Sequence, residues 1–114
     1  MSQNILVTGG IRSGKSIFAE SLTLSYGKKS TYIATAKNID TEMQKRINLH
    51  KKRRNNNWYE FETEINLIDT LKIVKKESPV LIDCITLWLN NIIYEKKNWK
   101  IEVERFASFI SNLK

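Results

Sequence analysis

A glycine-rich string near the amino end constrains this chain more than any other feature. Four residues fill the pattern G-x-x-x-x-G-K-[ST]: Gly9, Gly14, Lys15 and Ser16. The string directly follows an apolar run at residues 5–8. Glycines let a backbone turn tightly around a phosphate group and direct its N–H groups inward. Because the string lies between a predicted strand and a predicted helix, it indicates the phosphate loop of a nucleotide-binding domain.

The phosphate loop predicts the main nucleotide contacts of the chain. All of its residues are expected to touch the nucleotide: Gly9, Gly10, Ile11, Arg12, Ser13, Gly14, Lys15 and Ser16. Lys15 can reach the β- and γ-phosphates, and the hydroxyl of Ser16 can hold Mg²⁺. The helix that starts near Lys15 adds the positive end of its dipole. We therefore assign Lys15 as a catalytic residue and Ser16 as a magnesium ligand.

Asp83 is the second predicted magnesium residue. It follows the apolar run 80–82, at the carboxyl end of a predicted strand. Open α/β sheets bind their ligands at this edge, and a carboxylate there commonly organises Mg²⁺. Asp is also a favoured N-cap residue, so capping of the next helix is the alternative role.

The order of elements predicts an α/β fold with a mainly parallel sheet flanked by helices. Strands are predicted at residues 5–8, 31–35, 58–61 and 79–83, and helices at residues 16–26, 41–54, 67–74, 85–94 and 103–113. The chain has 114 residues, so we expect one domain over residues 1–114.

Composition limits the class of protein. The net charge of +7 suits phosphate-bearing ligands, although much of it is expected to be solvated surface. The basic residues lack interleaved aromatic side chains for stacking bases, so nucleic-acid binding is not expected. Cys84 is the one cysteine, so no intrachain disulfide is expected, and no apolar run reaches the length of a membrane span. With no signal-peptide pattern, a cytoplasmic location is expected.

His50 is the single histidine and lies on the predicted helix 41–54. Arg46, His50 and Arg53 are spaced i, i+4, i+7, so they share one face of that helix. A neutral imidazole among phosphate-binding cations can attack phosphorus and carry a covalent nucleotide. The spacing alone does not separate this role from ordinary surface packing, which is commoner for a lone helical histidine.

Several strings line up, in order and with matching spacing, with one enzyme family. They are I-L-V-T-G-G-I-R-S-G-K-S and F-A-E, then Y-I-A-T-A, then Asp40, Glu42, Met43, Arg46, Ile47, His50 and Trp58, and last I-D-C-I-T-L-W-L-N-N at residues 82–91. In these strings the chain resembles the bifunctional adenosylcobinamide kinase / adenosylcobinamide-phosphate guanylyltransferase of cobalamin biosynthesis.

The resemblance implies two reactions with ATP or GTP, Mg²⁺ and the corrinoid adenosylcobinamide. The family phosphorylates the aminopropanol arm of the corrinoid, then forms a guanylylated histidine from GTP and passes GMP to the new phosphate. The resemblance implies that His50 carries the GMP. It also implies nucleotide contacts at Ala34, Thr35, Ala36, Lys51, Lys52, Arg53, Arg54, Glu62 and Asp83. Family members are oligomers, so a homo-oligomer is expected.

The fold implied by the resemblance is a P-loop NTPase of the RecA-like type, incomplete at its carboxyl end. A further family strand, a segment of the type S-N-E-V-G and the closing helices have no counterpart in the chain. Ile11 stands where the family usually has alanine. Two other functions stay open: a generic P-loop small-molecule kinase that leaves His50 unmodified, and an inactive nucleotide-binding remnant.

Overall fold

Three parallel strands form the sheet in the computed structural model, which describes residues 4–10, 13–36 and 57–113. The strands are β1 (Ser30–Ala34), β2 (Trp58–Glu62) and β3 (Val80–Asp83), and their order across the sheet is β2-β1-β3. β1 lies in the centre and pairs in parallel with both neighbours. The predicted α/β class with a parallel sheet is therefore confirmed.

Four helices accompany this sheet within the described ranges: α1 (Lys15–Leu24), α2 (Leu67–Ile73), α3 (Ile85–Tyr94) and α4 (Trp99–Ser111). α4 begins ahead of its predicted start at residue 103 because Asn98 caps it. The Asn98 side chain accepts hydrogen bonds from the N–H groups of Lys100 at 3.1 Å and Ile101 at 3.3 Å. The predicted helix 41–54 lies outside the described residues. None of the helices described combines the length and apolar content that crossing a bilayer requires.

The hydrophobic core lies between one face of the sheet and helices α2, α3 and α4. Its buried members are Ile33, Leu67, Leu71, Trp88 and Ile92. The ring centres of Trp88 and Phe106 lie 5.3 Å apart, and Nε1 of Trp88 donates to the carbonyl of Ile65 at 3.1 Å. Trp88 thereby ties α3 both to α4 and to the segment that leads into α2. Helix α1 contacts β3 without belonging to this core.

Residues 5–8 are not a strand in the structure, so this prediction is wrong. Ile5 is 49% exposed and Leu6 is 80% exposed. An apolar parallel strand is stable where neighbouring elements cover both of its faces. β3, at the end of the sheet, is itself only partly buried at each of its positions. Residues 5–8 do not join the sheet beside β3, and their apolar composition alone does not produce a strand.

Candidate nucleotide-binding site

The described part of the phosphate loop is a tight turn followed at once by a helix. The N–H of Ser13 donates to the carbonyl of Gly10 at 3.2 Å, and Gly14 has a left-handed backbone with φ of 83°. α1 begins at the next residue, Lys15, and the N–H of Phe18 donates to the carbonyl of Gly14 at 3.0 Å. A residue with a side chain is strained at this φ. The turn therefore requires the second glycine of the motif.

The first glycine of the motif leaves room for the side chain of Ser13. A Cβ atom at Gly9 would lie 2.5 Å from Oγ of Ser13, closer than side-chain atoms approach one another. A Cβ atom at Gly10 would meet nothing within 4 Å. The loop thus folds back on itself at Gly9, and the Ser13 side chain occupies the space that a larger residue would need.

Lys15 and Ser16 open the first turn of α1, where both are partly buried. The first N–H groups of a helix have no partners inside the helix and carry the positive end of its dipole. A phosphate group at this end gains hydrogen bonds and a favourable field. The loop and the start of α1 therefore have the local geometry of an anion site, and the contact of α1 with β3 joins them to the strand that ends in Asp83.

The carboxyl ends of the strands bring two predicted site carboxylates into one row. In the sheet register Ala34 stands opposite Glu62 on one side and opposite Asp83 on the other. Paired residues of parallel strands point to the same face, and neighbouring strands lie about 4.8 Å apart. Glu62 and Asp83 therefore flank Ala34 on one face, at the edge where open α/β sheets bind ligands.

A hydroxyl and an amide fasten the strand ends at this same edge. Thr35 is fully buried, and its hydroxyl exchanges two hydrogen bonds with the backbone of Cys84. Nδ2 of the buried Asn91 donates to the carbonyl of Thr35 at 2.9 Å and to that of Glu64 at 3.0 Å. Because the polar groups of Thr35 bind protein partners, the residue supports the edge. Its contact with a nucleotide stays a prediction, as do those of its two neighbours.

Asp83 binds a tyrosine in the structure and does not cap a helix. The hydroxyl of Tyr32 donates a hydrogen bond to Oδ2 of Asp83. The ring of Tyr32 meets that of Trp58 edge-on, with 5.7 Å between the ring centres. The N-cap of α3 is Cys84. The alternative in which Asp83 caps the next helix is therefore wrong, and its carboxylate lies on the Tyr32 face of the sheet.

Part of the predicted site lies outside the described residues: Ile11, Arg12, His50, Lys51, Lys52, Arg53 and Arg54. Their roles stay predictions. Conversely, the sequence reasoning assigned no role to Tyr32 or Asn91. Asn91 did carry a signal, because it shares the buried face of α3 with Trp88 and Ile92 at helical spacing. A polar side chain on a buried face needs hydrogen-bond partners.

The chemistry of the described donors suits magnesium. Ser16 offers a hydroxyl oxygen and Asp83 a carboxylate oxygen, the hard ligands that Mg²⁺ prefers. Mg²⁺ at nucleotide sites takes one or two protein ligands and completes its shell with water and phosphate oxygens. The described ranges contain no group of three or more His, Cys, Asp or Glu side chains placed to hold a metal ion.

Comparison with known proteins adds a family match along nearly the whole chain. A family model described as cobinamide kinase / cobinamide phosphate guanyltransferase matches residues 5–114. The bifunctional adenosylcobalamin biosynthesis protein CobP of Pseudomonas aeruginosa is 40% identical over 103 residues, which cover 90% of this chain and 60% of that protein.

Two enterobacterial proteins, both described as bifunctional adenosylcobalamin biosynthesis protein CobU, are similar as well. The Escherichia coli protein is 36% identical over 92 residues, which cover 80% of this chain and 50% of that protein. The Salmonella typhimurium protein is 40% identical over 92 residues, which cover 79% of this chain and 50% of that protein. The chain thus spans between 50% and 60% of the length of these curated relatives.

Proposed function

This chain belongs to the cobinamide kinase / cobinamide phosphate guanyltransferase family, and from that premise we propose that it acts in both reactions, phosphorylating adenosylcobinamide and then transferring GMP to the product. The observation that carries the proposal is the family match over residues 5–114, which include the phosphate loop, His50 and Asp83. The chain spans about half the length of these relatives. The proposal is therefore limited to the steps whose predicted site residues lie within this chain.

In the proposed kinase step, the phosphate loop and Lys15 bind the β- and γ-phosphates of ATP or GTP. Ser16 and Asp83 would hold Mg²⁺, which offsets the negative charge of the phosphates. The corrinoid hydroxyl oxygen attacks the γ-phosphorus, and the bond from that phosphorus to the bridging oxygen breaks. A nucleoside diphosphate leaves, and the hydroxyl proton passes to solvent. Lys15 stabilises the charge that develops on the transferred group.

In the proposed guanylyl step, a ring nitrogen of His50 attacks the α-phosphorus of GTP and pyrophosphate leaves. A phosphate oxygen of adenosylcobinamide phosphate then attacks the same phosphorus, and the phosphorus–nitrogen bond breaks. The products are adenosylcobinamide-GDP and unmodified His50. Four cations follow His50 in sequence, and we propose that they stabilise the leaving pyrophosphate: Lys51, Lys52, Arg53 and Arg54.

The decisive experiment measures the transfer of radioactive label from GTP to the purified chain. GTP labelled at the α-phosphate is incubated with Mg²⁺, and protein-bound label is counted after denaturation. We expect label that is stable in base and released by acid, as a phosphorus–nitrogen bond requires, and we expect none on His50→Ala. GTP labelled at the γ-phosphate should leave no label, because that phosphate departs in pyrophosphate.

Two further measurements make the experiment specific. Lys15→Ala should reduce α-labelling, because it weakens phosphate binding without removing the nucleophile. Circular dichroism should show the same helix content in the His50→Ala chain as in the parent. Equal α-labelling of the parent and His50→Ala chains would contradict the guanylyl role of His50. With adenosylcobinamide added, transfer of γ-label to the corrinoid and no α-label on protein would leave only the kinase step.

One observation favours a second function, nucleotide binding without turnover. The segment that leads into the phosphate loop is exposed, with Leu6 80% accessible, and does not pair with the sheet. A phosphate loop without an anchored strand before it holds its N–H groups less firmly, which weakens preorganised binding. This function predicts measurable GTP binding and no label on protein in the experiment above.

We propose in addition a cytoplasmic homo-oligomer, following the family resemblance. Light scattering after size-exclusion chromatography would report the number of chains in each particle. A mass equal to that of one chain at micromolar concentration would contradict the oligomer.

A further inference from the structure

We propose that Tyr32 is a positioning residue of the nucleotide site, and that it acts by fixing the orientation of the Asp83 carboxylate. The proposal rests on the proposed role of Asp83 toward magnesium and nucleotide. Its structural basis is a set of three side chains that crosses the whole sheet on one face, which we name the Trp58–Tyr32–Asp83 brace.

The brace contains one residue from each strand. Trp58 pairs with Ser30, and Tyr32 lies two positions further along β1. Tyr32 pairs with Leu81, and Asp83 lies two positions further along β3. Residues two apart on a strand point to the same face, so all three brace side chains share it. Each step is a diagonal of about 7–8 Å between neighbouring strands, which aromatic side chains can span.

The two rings of the brace leave the tyrosine hydroxyl little freedom. Tyr32 is 3% exposed and Trp58 is 6% exposed. Their rings are nearly perpendicular, with an interplanar angle of 86°, the edge-to-face arrangement that aromatic pairs favour. A ring held on its sides by packing presents its hydroxyl at a fixed point. From there the hydroxyl donates its hydrogen bond to Oδ2 of Asp83.

A fixed hydroxyl matters because the χ2 torsion of an aspartate, which sets the plane of its carboxylate, otherwise varies over a broad range. An ionised carboxylate has about four acceptor positions on its two oxygens, and the Tyr32 hydroxyl uses one of those on Oδ2. Asp83 thus meets its ligand with one orientation already selected. Preorganisation of this kind raises affinity by removing an entropic cost at the moment of binding.

The competing explanation is that the hydroxyl only satisfies a buried polar atom. In that case its removal lowers stability and leaves ligand binding unchanged. If Tyr32 positions Asp83, removal of the hydroxyl weakens the binding that depends on Asp83 and on magnesium. The two explanations therefore differ in a quantity that can be measured without turnover.

The test is Tyr32→Phe, which removes the hydroxyl and keeps the ring against Trp58. The affinity for GTP carrying a fluorescent ribose label is titrated with Mg²⁺ and again with EDTA. We expect the dissociation constant in Mg²⁺ to rise by roughly tenfold, in line with a lost hydrogen bond to a charged group. The value in EDTA should stay as in the parent chain.

A matched control removes a buried hydroxyl from the other end of the same strand. The Thr31 hydroxyl is bonded to Oγ of Ser78 at 2.8 Å, and Thr31 is fully buried. Thr31→Val should lower the melting temperature and leave both dissociation constants unchanged. A rise in the magnesium value for Thr31→Val equal to that for Tyr32→Phe would mean that the effect is only general loosening of β1.

A double-mutant cycle with Asp83→Asn tests whether Tyr32 acts through Asp83. Asp83→Asn should abolish most of the magnesium dependence, and Tyr32→Phe added to it should change the dissociation constant by less than about twofold.

A full additive loss in the double variant overturns the proposal, as does wild-type affinity of Tyr32→Phe. An unaltered magnesium dependence in Asp83→Asn removes the role of Asp83 and of Tyr32 together. None of these results bears on the His50 label, so a failure of guanylyl transfer is detected separately.

Discussion

The hydroxyl of Thr35 takes the place of a strand partner for Cys84. Its Oγ1 donates to the Cys84 carbonyl at 2.7 Å and accepts from the Cys84 N–H at 2.8 Å. A hydroxyl can do both because it is a donor and an acceptor at once. β1 and β3 thus remain joined beyond their last paired residues, Ala34 and Asp83. This bond pair supports the edge of the sheet where the predicted carboxylates lie.

Thr35→Val should lower the free energy of unfolding by about 1–3 kcal/mol, because it removes the acceptor of the Cys84 N–H and leaves the Cys84 carbonyl with the Trp88 N–H as its donor. Thr35→Ser keeps the hydroxyl and loses one buried methyl, so it should cost only about 1 kcal/mol. Urea unfolding followed by circular dichroism gives both values. A loss for Thr35→Val no larger than that for Thr35→Ser would contradict the main stabilising role of the hydroxyl.

Asn91→Asp should make stability depend on pH. The new carboxylate would face the carbonyl oxygens of Thr35 and Glu64, which now accept from the Asn91 amide. Burial beside acceptors disfavours the charged form, so the pKa of the new group rises above its usual value of about 4 in the folded protein. The folded state then binds more protons than the unfolded state, and stability falls as pH rises above about 4.

Chemical denaturation at several pH values measures this effect. Against the parent chain, Asn91→Asp should lose about 2–4 kcal/mol at neutral pH and recover most of it near pH 4. Asn90→Asp is the matched control, since Asn90 is the exposed neighbour on the same helix. It should stay within about 0.5 kcal/mol of the parent at every pH. A pH-independent loss in Asn91→Asp would contradict the expected protonation.

Gly14→Ala and Gly27→Ala should lose similar stability and differ in binding. Both glycines have a positive φ, 83° and 74°, and neither has an atom within 4 Å of an added Cβ. Backbone strain alone should therefore cost each variant about 1–2 kcal/mol. Relief of the strain at residue 14 should turn the loop away from the shape proposed to bind phosphate, which should weaken GTP binding by about tenfold or more.

Gly27 follows α1 at the end away from the phosphate loop, so Gly27→Ala should keep the parent affinity. Thermal melts and fluorescent GTP titrations on the two variants test the pair. Equal affinity for GTP in both variants would mean that the left-handed turn at Gly14 does not shape the binding loop.

Lys96→Gly should stabilise the chain. Lys96 has φ of 59° after the end of α3, where its N–H donates to Ile93 at 3.0 Å and the N–H of Lys97 donates to Ile92 at 3.1 Å. This pair of bonds is a Schellman ending, which favours glycine at the left-handed position. We expect a gain of about 0.5–1 kcal/mol after the entropy cost of glycine is subtracted.

Lys97→Gly is the control for Lys96→Gly, because Lys97 does not have a positive φ. It removes one exposed lysine in the same turn, so any effect of charge is shared by the two variants. Lys97→Gly should be neutral or slightly destabilising in the same thermal melts. A gain in stability for both variants would point to charge relief and against backbone strain.

Local signals in the sequence were enough to predict most elements and the turn at Gly14. α3 has the predicted bounds, Ile85–Tyr94, because a dense apolar run begins directly after a strand and stops at a charged turn. Gly14 has the positive φ that the motif requires. These features depend on neighbours within a few positions, so their causes are visible in a short stretch of sequence.

The strand predicted at residues 5–8 failed because its cause is not local. An apolar β-branched run becomes a strand only where other elements cover it, and the sequence does not state whether they do. The Trp58–Tyr32–Asp83 brace and the Thr35–Cys84 hydrogen bonds could not be predicted from local sequence either. Tyr32 and Asp83 are 51 positions apart, and Thr35 and Cys84 are 49 positions apart.

The sequence by itself therefore determined the kind of fold, the family and the position of the phosphate-loop motif before α1. Only the tertiary structure decided that β1 lies between β2 and β3, with Ala34 opposite both Glu62 and Asp83. The physical reason is that the register of parallel strands is set by packing and hydrogen bonds between segments far apart in the chain. Which hydroxyl meets which carboxylate follows from that register and from no pattern of neighbouring residues.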